Sequence, residues 1–328
     1  MKRILGIGNA LVDVMTQIDN DKVLNDFELP KGSMQLVDQE KSLLVKSGTD
    51  RFKKSLASGG SAANTIHGLA MLGAETAFIG SIGKDETGDF FERDMKSAGV
   101  NTILIRRESV TGTAVALVSP DSERTFATHL GAATELEAAD LNNDQFKGYD
   151  ILYLEGYLIF NKALVENACR MAKEHKMKVA LDLASYNVVE FKLQDFREIV
   201  EKYVDIIFAN EEEAKAYTGK NPEEALKILS DLCEIAVVKT GSEGSLIRSG
   251  DEILKIGTIK VNLQDTTGAG DLYASGFLYG YSMDYSLEAC GVFGSILAGN
   301  VIEMIGAKMP YKKWDLVKKT IRDIIDSN

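Results

Sequence analysis

Cysteine is nearly absent from this chain: Cys169, Cys233 and Cys290 are the only three in 328 residues. They sit in apolar patterns without metal-ligand spacing, which excludes a disulfide framework and a cysteine-built zinc site and suits buried thiols in a reducing compartment. Four prolines, no repeat and no low-complexity stretch leave nothing that reads as a linker, so residues 1–328 are expected to form a single domain. The three histidines, His67, His129 and His175, are scattered, which disfavours histidine catalysis. Basic residues are outnumbered: 37 Lys and Arg face 49 Asp and Glu, a net charge of −12. That deficit argues against a nucleic-acid partner, since a phosphate backbone demands a basic face. No apolar run is long enough to span a bilayer, and Asp13 comes too early for a signal peptide, so no membrane partner and a cytoplasmic location are expected. There is no Gly-x-x-x-x-Gly-Lys-Ser/Thr string. Gly6-Ile7-Gly8 lacks the third glycine of a dinucleotide fingerprint and leads into a strand, so both familiar nucleotide loops are excluded.

What is present is a regular alternation. Short β-branched apolar runs at 4–7, 76–79, 151–154, 178–181, 206–208 and 235–238 read as buried strands. Helical periodicity occupies 61–72, 87–97, 162–174, 195–203, 222–232, 268–280, 286–304 and 312–325. Strand alternating with helix predicts an α/β fold with a mostly parallel sheet covered on both faces. Two segments, about 12–37 and 102–130, break the rhythm with polar alternation and little helix. The second contains the turn Pro120-Asp121-Ser122-Glu123. They are expected to build a small β lid, whereas an antiparallel edge to the main sheet is the plainer alternative. A further hairpin around Ser249-Gly250-Asp251 reads as peripheral.

The densest chemistry lies in Asp265-Thr266-Thr267-Gly268-Ala269-Gly270-Asp271, just before an amphipathic run. Glycines permit a tight loop and close ligand approach. The free N–H groups of the first helical turn, with the positive end of the helix dipole behind them, suit an anion such as phosphate. A carboxylate there repels an anion unless it takes a proton, so Asp271 beside Gly268, Ala269 and Gly270 points to phosphoryl transfer to a hydroxyl. The plainer reading is an ordinary capped helix.

Other candidates are weaker one by one. Gly59-Gly60-Ser61 also opens a helix, and Asn64, one turn in, offers a donor and an acceptor to a polyhydroxy ligand. Asp13 suits vicinal hydroxyls. Asn210 and Glu213 follow a strand end, where parallel sheets bind ligands, and are placed to hold magnesium-bound water and phosphate oxygens. Lys239, Thr240, Gly241 and Gly244 follow the next strand and suit the phosphates or adenine edge of ATP. Arg124, if it faces inward, would clamp a phosphate.

Four of these motifs occur in one order. Gly59-Gly60-x-x-x-Asn64 with Gly73 and Gly83 resembles the first signature of the ribokinase-like (PfkB) carbohydrate kinases, and Asp265 to Asp271 resembles the second. Asn210-x-x-Glu213 is similar to the family's magnesium-and-phosphate motif, and Lys239-Thr240-Gly241 to its nucleotide loop. The resemblance spans Gly8 to Gly306. It implies a three-layer α/β/α fold with a β lid, and transfer of the γ-phosphoryl of ATP, with Mg2+, to a primary alcohol. By position, Asp271 would be the base and Gly268 to Gly270 the anion hole. Asp13, Gly59, Gly60 and Asn64 would grip sugar hydroxyls. Asp265 would help hold a monovalent cation, K+, in members that need one. A helix N-terminus beside Asp271 is expected to depress its pKa.

Gly8-Asn9-Ala10-Leu11-Val12-Asp13 and the stretch from Arg124 to Ala133 look like the adenosine kinase branch, with His129 in place of an asparagine. That likeness implies adenosine as acceptor, with Asn9 and Ser61 beside the ribose, Gln35 reaching the base, and Tyr157 or Phe126 stacking on it. Sugar kinases acting on ribose, fructose or a keto-deoxy sugar acid are the alternative, since Arg106, Arg107 and Arg124 offer partners for a carboxylate. A non-catalytic sugar- or nucleotide-binding regulator on the same fold is the alternative of another class. Monomer and homodimer both remain open.

Overall fold

The computed structural model describes residues 1–121 and 123–327; Ser122, in the expected turn, lies outside the described residues. The strands are β1 (Ile4–Ile7), β2 (Leu11–Gln17), β3 (Met34–Leu36), β4 (Lys54–Gly59), β5 (Thr76–Gly83), β6 (Asn101–Arg107) and β7 (Gly112–Val118). They continue with β8 (Arg124–His129), β9 (Ile151–Glu155), β10 (Lys178–Asp182), β11 (Ile206–Asn210), β12 (Ile235–Lys239), β13 (Ser245–Ser249) and β14 (Glu252–Ile256).

A nine-stranded sheet runs in the order β14-β13-β12-β11-β10-β9-β1-β5-β6. From β12 to β6 every pairing is parallel. The reason is visible in the residues. Strands such as Ile4-Leu-Gly-Ile7 and Ile235-Ala-Val-Val238 are apolar on both faces, and only helices on both sides bury them. One apolar layer packs Leu5, Leu152, Val179, Ile207 and Phe196; the other packs Ile4, Phe78, Tyr153, Phe208 and Phe277. The hairpin expected to be peripheral forms one edge of the large sheet: β13 and β14 extend it antiparallel from β12, with Ile247 fully buried.

Helix limits follow local chemistry. Asn210, Asn221 and Ser286 cap their helices through side-chain oxygens, and Pro222 stands at the first turn after Asn221. Gly73 ends helix Ser61–Leu72 in the left-handed conformation. Among the described residues no helix is long and apolar enough to cross a membrane.

A second, five-stranded sheet runs β3-β8-β7-β2-β4. Its membership corrects the expected lid segments. Residues 102–107 belong to β6 at the edge of the large sheet, and Lys54–Gly59, which lies outside both segments, supplies β4. Short helices Lys22–Asp26 and Gln39–Gly48 also occur. The chain enters this sheet from β1 through Gly8 to Ala10 and leaves it from β4 through Gly60 into helix Ser61–Leu72. Both crossings lie at the carboxyl edge of the large sheet.

Helix Ala269–Ser282 is locked onto that sheet by Phe277, which is fully buried and meets Phe208 edge-on, with ring centroids 5.3 Å apart. Phe277→Ala is expected to lower unfolding free energy by about 3–5 kcal/mol, the usual cost of a large-to-small core change. Urea unfolding monitored by circular dichroism checks it.

Candidate active site

The carboxyl ends of neighbouring parallel strands bring one polar group each to the same edge. Lys239 ends β12 and pairs in register with Asn210, which ends β11. Asp182 ends β10 beside Glu155, which ends β9. Gly8 and Asn9 follow β1. This edge is where a parallel sheet leaves a crevice.

Helix Ala269–Ser282 starts over the edge. Gly268 is its N-cap, at φ 75° in the left-handed region that glycine tolerates, and turns the loop into the helix. The N–H of Ala269 reaches back to Thr266 O at 3.2 Å. Asp271, in the first turn, accepts from Ser61 Oγ at 2.8 Å and from Asn64 Nδ2 at 3.0 Å. The same two helices are stitched again by Thr65 Oγ1 to Asp271 O at 3.1 Å and Ser275 Oγ to Thr65 O at 2.8 Å. Gly60 adopts φ 99°, and a Cβ there would lie 2.1 Å from Asn9 O, so only glycine lets the two crossings meet. Gly59 gives the same freedom to Asp13, whose carboxylate would strike any Cβ at that position.

The acidity of Asp271 corrects the expectation from the helix dipole. Burial lifts its pKa to about 6, against lowering by Asn64, Ser61 and Lys239. A helix terminus contributes roughly 0.3–1 kcal/mol, which desolvation exceeds here. A carboxylate lifted towards neutrality is a better base than the depressed one expected. Asp13 is likewise raised to about 6 by burial, with Lys308 opposing.

On the other side of Gly270 stands Lys239. A Cβ at Gly270 would come 3.1 Å from Lys239 Nζ, which places the lysine against the loop. Lys239 Nζ pairs with Asp182 Oδ2 at 2.8 Å; Asp182 is buried and Lys239 partly so. Asn210 and Glu213 form a reciprocal cap, each of their three contacts at 2.8 Å. Burial raises the pKa of Glu213, with Lys239 opposing. Thr240, Gly241 and Gly244 make the turn after β12, in which Thr240 N donates to Gly244 O at 2.8 Å. The nucleotide candidates therefore lie side by side on two adjacent strand ends.

Arg124 faces inward from β8. It ion-pairs with Asp265, and its guanidinium also donates to Thr267 Oγ1. Asp265 is almost wholly buried, and it also accepts from Thr267 N at 2.7 Å and Gly306 N at 2.6 Å. Arg124 thus offsets much of the charge on which the expected role as a monovalent-cation ligand would draw. Asp182 and Glu213 are hard oxygen donors of the kind Mg2+ takes. Two carboxylates sharing one lysine leave negative charge for a cation, so this donor chemistry fits that ion. Among the described residues no cluster of three His, Cys, Asp or Glu side chains forms a closed metal cage.

The sequence reading missed Glu155 and Asp182. Glu155 is buried and accepts from Asn9 N at 3.0 Å, Asn9 Nδ2 at 2.5 Å and Ala62 N at 2.7 Å, while burial raises its pKa to about 7. It clamps the two chain crossings together, and Asn9 serves it rather than facing outward. The available signal was position: each is the acidic residue that directly follows a buried apolar run. Gln35 sits on β3 opposite Ala127, and its amide donates to Ser33 Oγ rather than to the Asp271 cluster. Tyr157 is half-buried with its hydroxyl towards Ala184 O, and Phe126 lies under the Arg124 guanidinium. Arg106 pairs with Asp89 and Glu92, and Arg107 with Asp140, so both are engaged at the sheet edge.

The family model described as pfkB family carbohydrate kinase matches residues 33–314. A protein of Archaeoglobus fulgidus described as an uncharacterized sugar kinase is 32% identical over 243 residues, 74% of this chain and 96% of that protein. Adenosine kinase 2 of Arabidopsis thaliana is 25% identical, over 94% of this chain and 96% of its own length. The crystal structure of adenosine kinase from Sinorhizobium meliloti superposes with a TM-score of 0.87 at 34% identity, covering 97% of this chain and 99% of that one.

The raised pKa values carry a stability signature. Asp271, with a folded value near 6 against an ordinary 3.8, binds more protons folded than unfolded between those limits. Its contribution is therefore full below about pH 4 and lost as pH rises through 6. In Asp271→Asn this contribution is absent. The stability of the wild type relative to that variant is expected to fall by up to about 3 kcal/mol between pH 4 and 7 in ligand-free protein. Urea unfolding of both across that range checks it; parallel curves would contradict the raised pKa.

Proposed function

The chain belongs to the pfkB family of carbohydrate kinases, and from that premise we propose that it transfers the γ-phosphoryl group of ATP to the 5′-hydroxyl of a ribose-containing nucleoside, adenosine first. That it is a phosphotransferase acting on an alcohol, resembling the adenosine kinase-like branch, follows from the family and the likenesses above. The observation that carries the reading is the Asp271 carboxylate. It is held by Ser61 and Asn64 at the mouth of a glycine-lined helix N-terminus, with Lys239 on the far side.

In this reading the acceptor hydroxyl lies against Asp271, with its sugar ring between Asp13, Gly59, Gly60 and Asn64. Asp271 takes the hydroxyl proton as the oxygen attacks the γ-phosphorus, and ADP leaves with the bridging oxygen. The transferring group crosses the first turn at Gly268, Ala269 and Gly270, where N–H dipoles offset its charge; positioning and charge carry most of such a transfer. Lys239, Thr240, Gly241, Gly244 and Asn210 hold the nucleotide. Mg2+, near Glu213 and Asp182, would neutralise phosphate oxygens. Arg124 brings positive charge from the small sheet onto the loop at Asp265 to Thr267. The small sheet is then a lid whose docking Arg124 reports.

A nucleoside is favoured over a sugar acid because Arg106, Arg107 and Arg124 are all engaged by protein carboxylates. The sugar kinase likeness keeps a free sugar as the competing acceptor.

Release of ADP, measured by a coupled assay across adenosine, other nucleosides, ribose, fructose and a keto-deoxy sugar acid, tests the acceptor. Adenosine is expected to give the highest kcat/KM; turnover of a free sugar with none of adenosine would sink the nucleoside reading. Asp271→Asn is expected to lower kcat by about 10²–10⁴-fold with acceptor binding little changed, the usual scale for a lost general base. Wild-type turnover in that variant would remove Asp271 from the role.

A further inference from the structure

Lys308 stands in the loop after helix Leu287–Val301. Its neighbour Ala307 packs on Gly268, where a Cβ would come 2.6 Å from that alanine, and Gly306 holds Asp265. The lysine is thereby seated beneath the start of the Asp271 helix. Its Nζ is buried and has no hydrogen-bond partner among the described residues. An ammonium left this way costs free energy that a ligand would recover, because a buried donor without an acceptor carries its full desolvation penalty.

Four titratable groups bear on it. Asp13 comes from β2, Asp94 from helix Glu86–Ser97, Asp271 from helix Ala269–Ser282, and His67 from the Ser61 helix. Two of the carboxylates already have donors: Asp94 accepts from Ser58 N, and Asp271 from Ser61 and Asn64. Among the described residues a second buried atom, Asn64 Oδ1, is also unpartnered, and its amide nitrogen is the one that holds Asp271. The surroundings of Asp271 thus hold an idle donor on Lys308, an idle acceptor on Asn64 and the carboxylate of Asp13.

Charge decides what fits. Three carboxylates act on one ammonium, so a carboxylate on the acceptor ring would add a fourth negative charge around Lys308. A neutral hydroxyl does better, since it accepts from an ammonium and donates to Asp13 or Asn64 Oδ1 at once. We propose that Lys308 is a substrate-binding residue that donates to a ring hydroxyl of the acceptor remote from the one phosphorylated, and that it selects neutral polyols carrying that hydroxyl. The identity of the ring rests on the nucleoside reading; the role of Lys308 does not.

The test compares wild type, Lys308→Met and Lys308→Gln on the best acceptor of the assay panel and on its singly deoxygenated forms. For adenosine these are 2′-deoxyadenosine and 3′-deoxyadenosine. In the wild type one deoxy form is expected to lose about 10–100-fold in kcat/KM, the scale of one hydrogen bond to a charged group. In Lys308→Met the parent acceptor should fall to that level, the deoxy form should lose nothing more, and the KM for ATP should hold. Lys308→Gln, which keeps a donor, should recover part of the discrimination. The melting temperature of Lys308→Met should be equal or higher, because an unpaired ammonium is gone. Unchanged discrimination, an equal loss on parent and deoxy forms, or a wild type that prefers the keto-deoxy sugar acid would overturn the proposal. If adenosine is idle but a free sugar shows the pattern, the nucleoside reading fails and Lys308 stands. If adenosine turns over without the pattern, the reverse holds. Turnover of no acceptor overturns both.

Discussion

The cross-helix contact between the Ser61 helix and the Ala269 helix is what the rest of the site hangs on. Ser61 and Asn64 grip the Asp271 carboxylate, while Thr65 and Ser275 each donate to a backbone carbonyl across the same seam. The seam is close because Gly68 faces Ser275, where a Cβ would come 2.5 Å from the serine oxygen. One helix carries the chain out of the small sheet, and the other opens with the Gly268-Ala269-Gly270 loop. Fastening them fixes Asn64 and the Gly59-Gly60 turn against the loop that ends in Asp271. The fastening is polar and buried, so it holds only in one register; a slip would leave several polar groups unpaired.

Buried charge is the second theme, and carboxylates outnumber cations along the carboxyl edge. Lys239 neutralises Asp182, Arg124 neutralises Asp265, and Glu155 is satisfied by three N–H donors rather than by a cation. Asp13, Asp271 and Glu213 are left short of compensation, and burial pushes each towards the neutral form. Groups held this way store unfavourable electrostatics that a bound hydroxyl, cation or phosphate relieves, which is the usual origin of shifted acidities at binding sites.

Much of the fold was legible because its signals are local. Helix Ser61–Leu72 coincides with the periodicity at 61–72, and the buried runs at 4–7, 151–154 and 235–238 lie in the large sheet as expected. Lys54–Gly59 was not legible as a strand. Its residues Lys-Ser-Leu-Ala-Ser-Gly carry little β-branched or apolar alternation, and only pairing with β2 makes it one. Residues 102–107 alternate like a half-exposed strand, which suits either sheet; parallel pairing with β5 decided the matter. The hairpin of β13 and β14 read as peripheral because its exposed turn dominates the local pattern, although Ile247 is core.

The sequence by itself determined the chemistry available: a glycine-rich loop ending in Asp271, a second glycine pair before Asn64, and polar residues after each strand. Those features need only the backbone freedom of glycine and the end of an apolar run, both properties of a few neighbouring residues. The tertiary structure decided the acidity of Asp271, the engagement of Asp265 by Arg124, the place of Glu155 as a clamp on Asn9 and Ala62, and the isolation of Lys308. Each depends on desolvation or on a partner more than thirty residues away in the chain, and no local pattern encodes either.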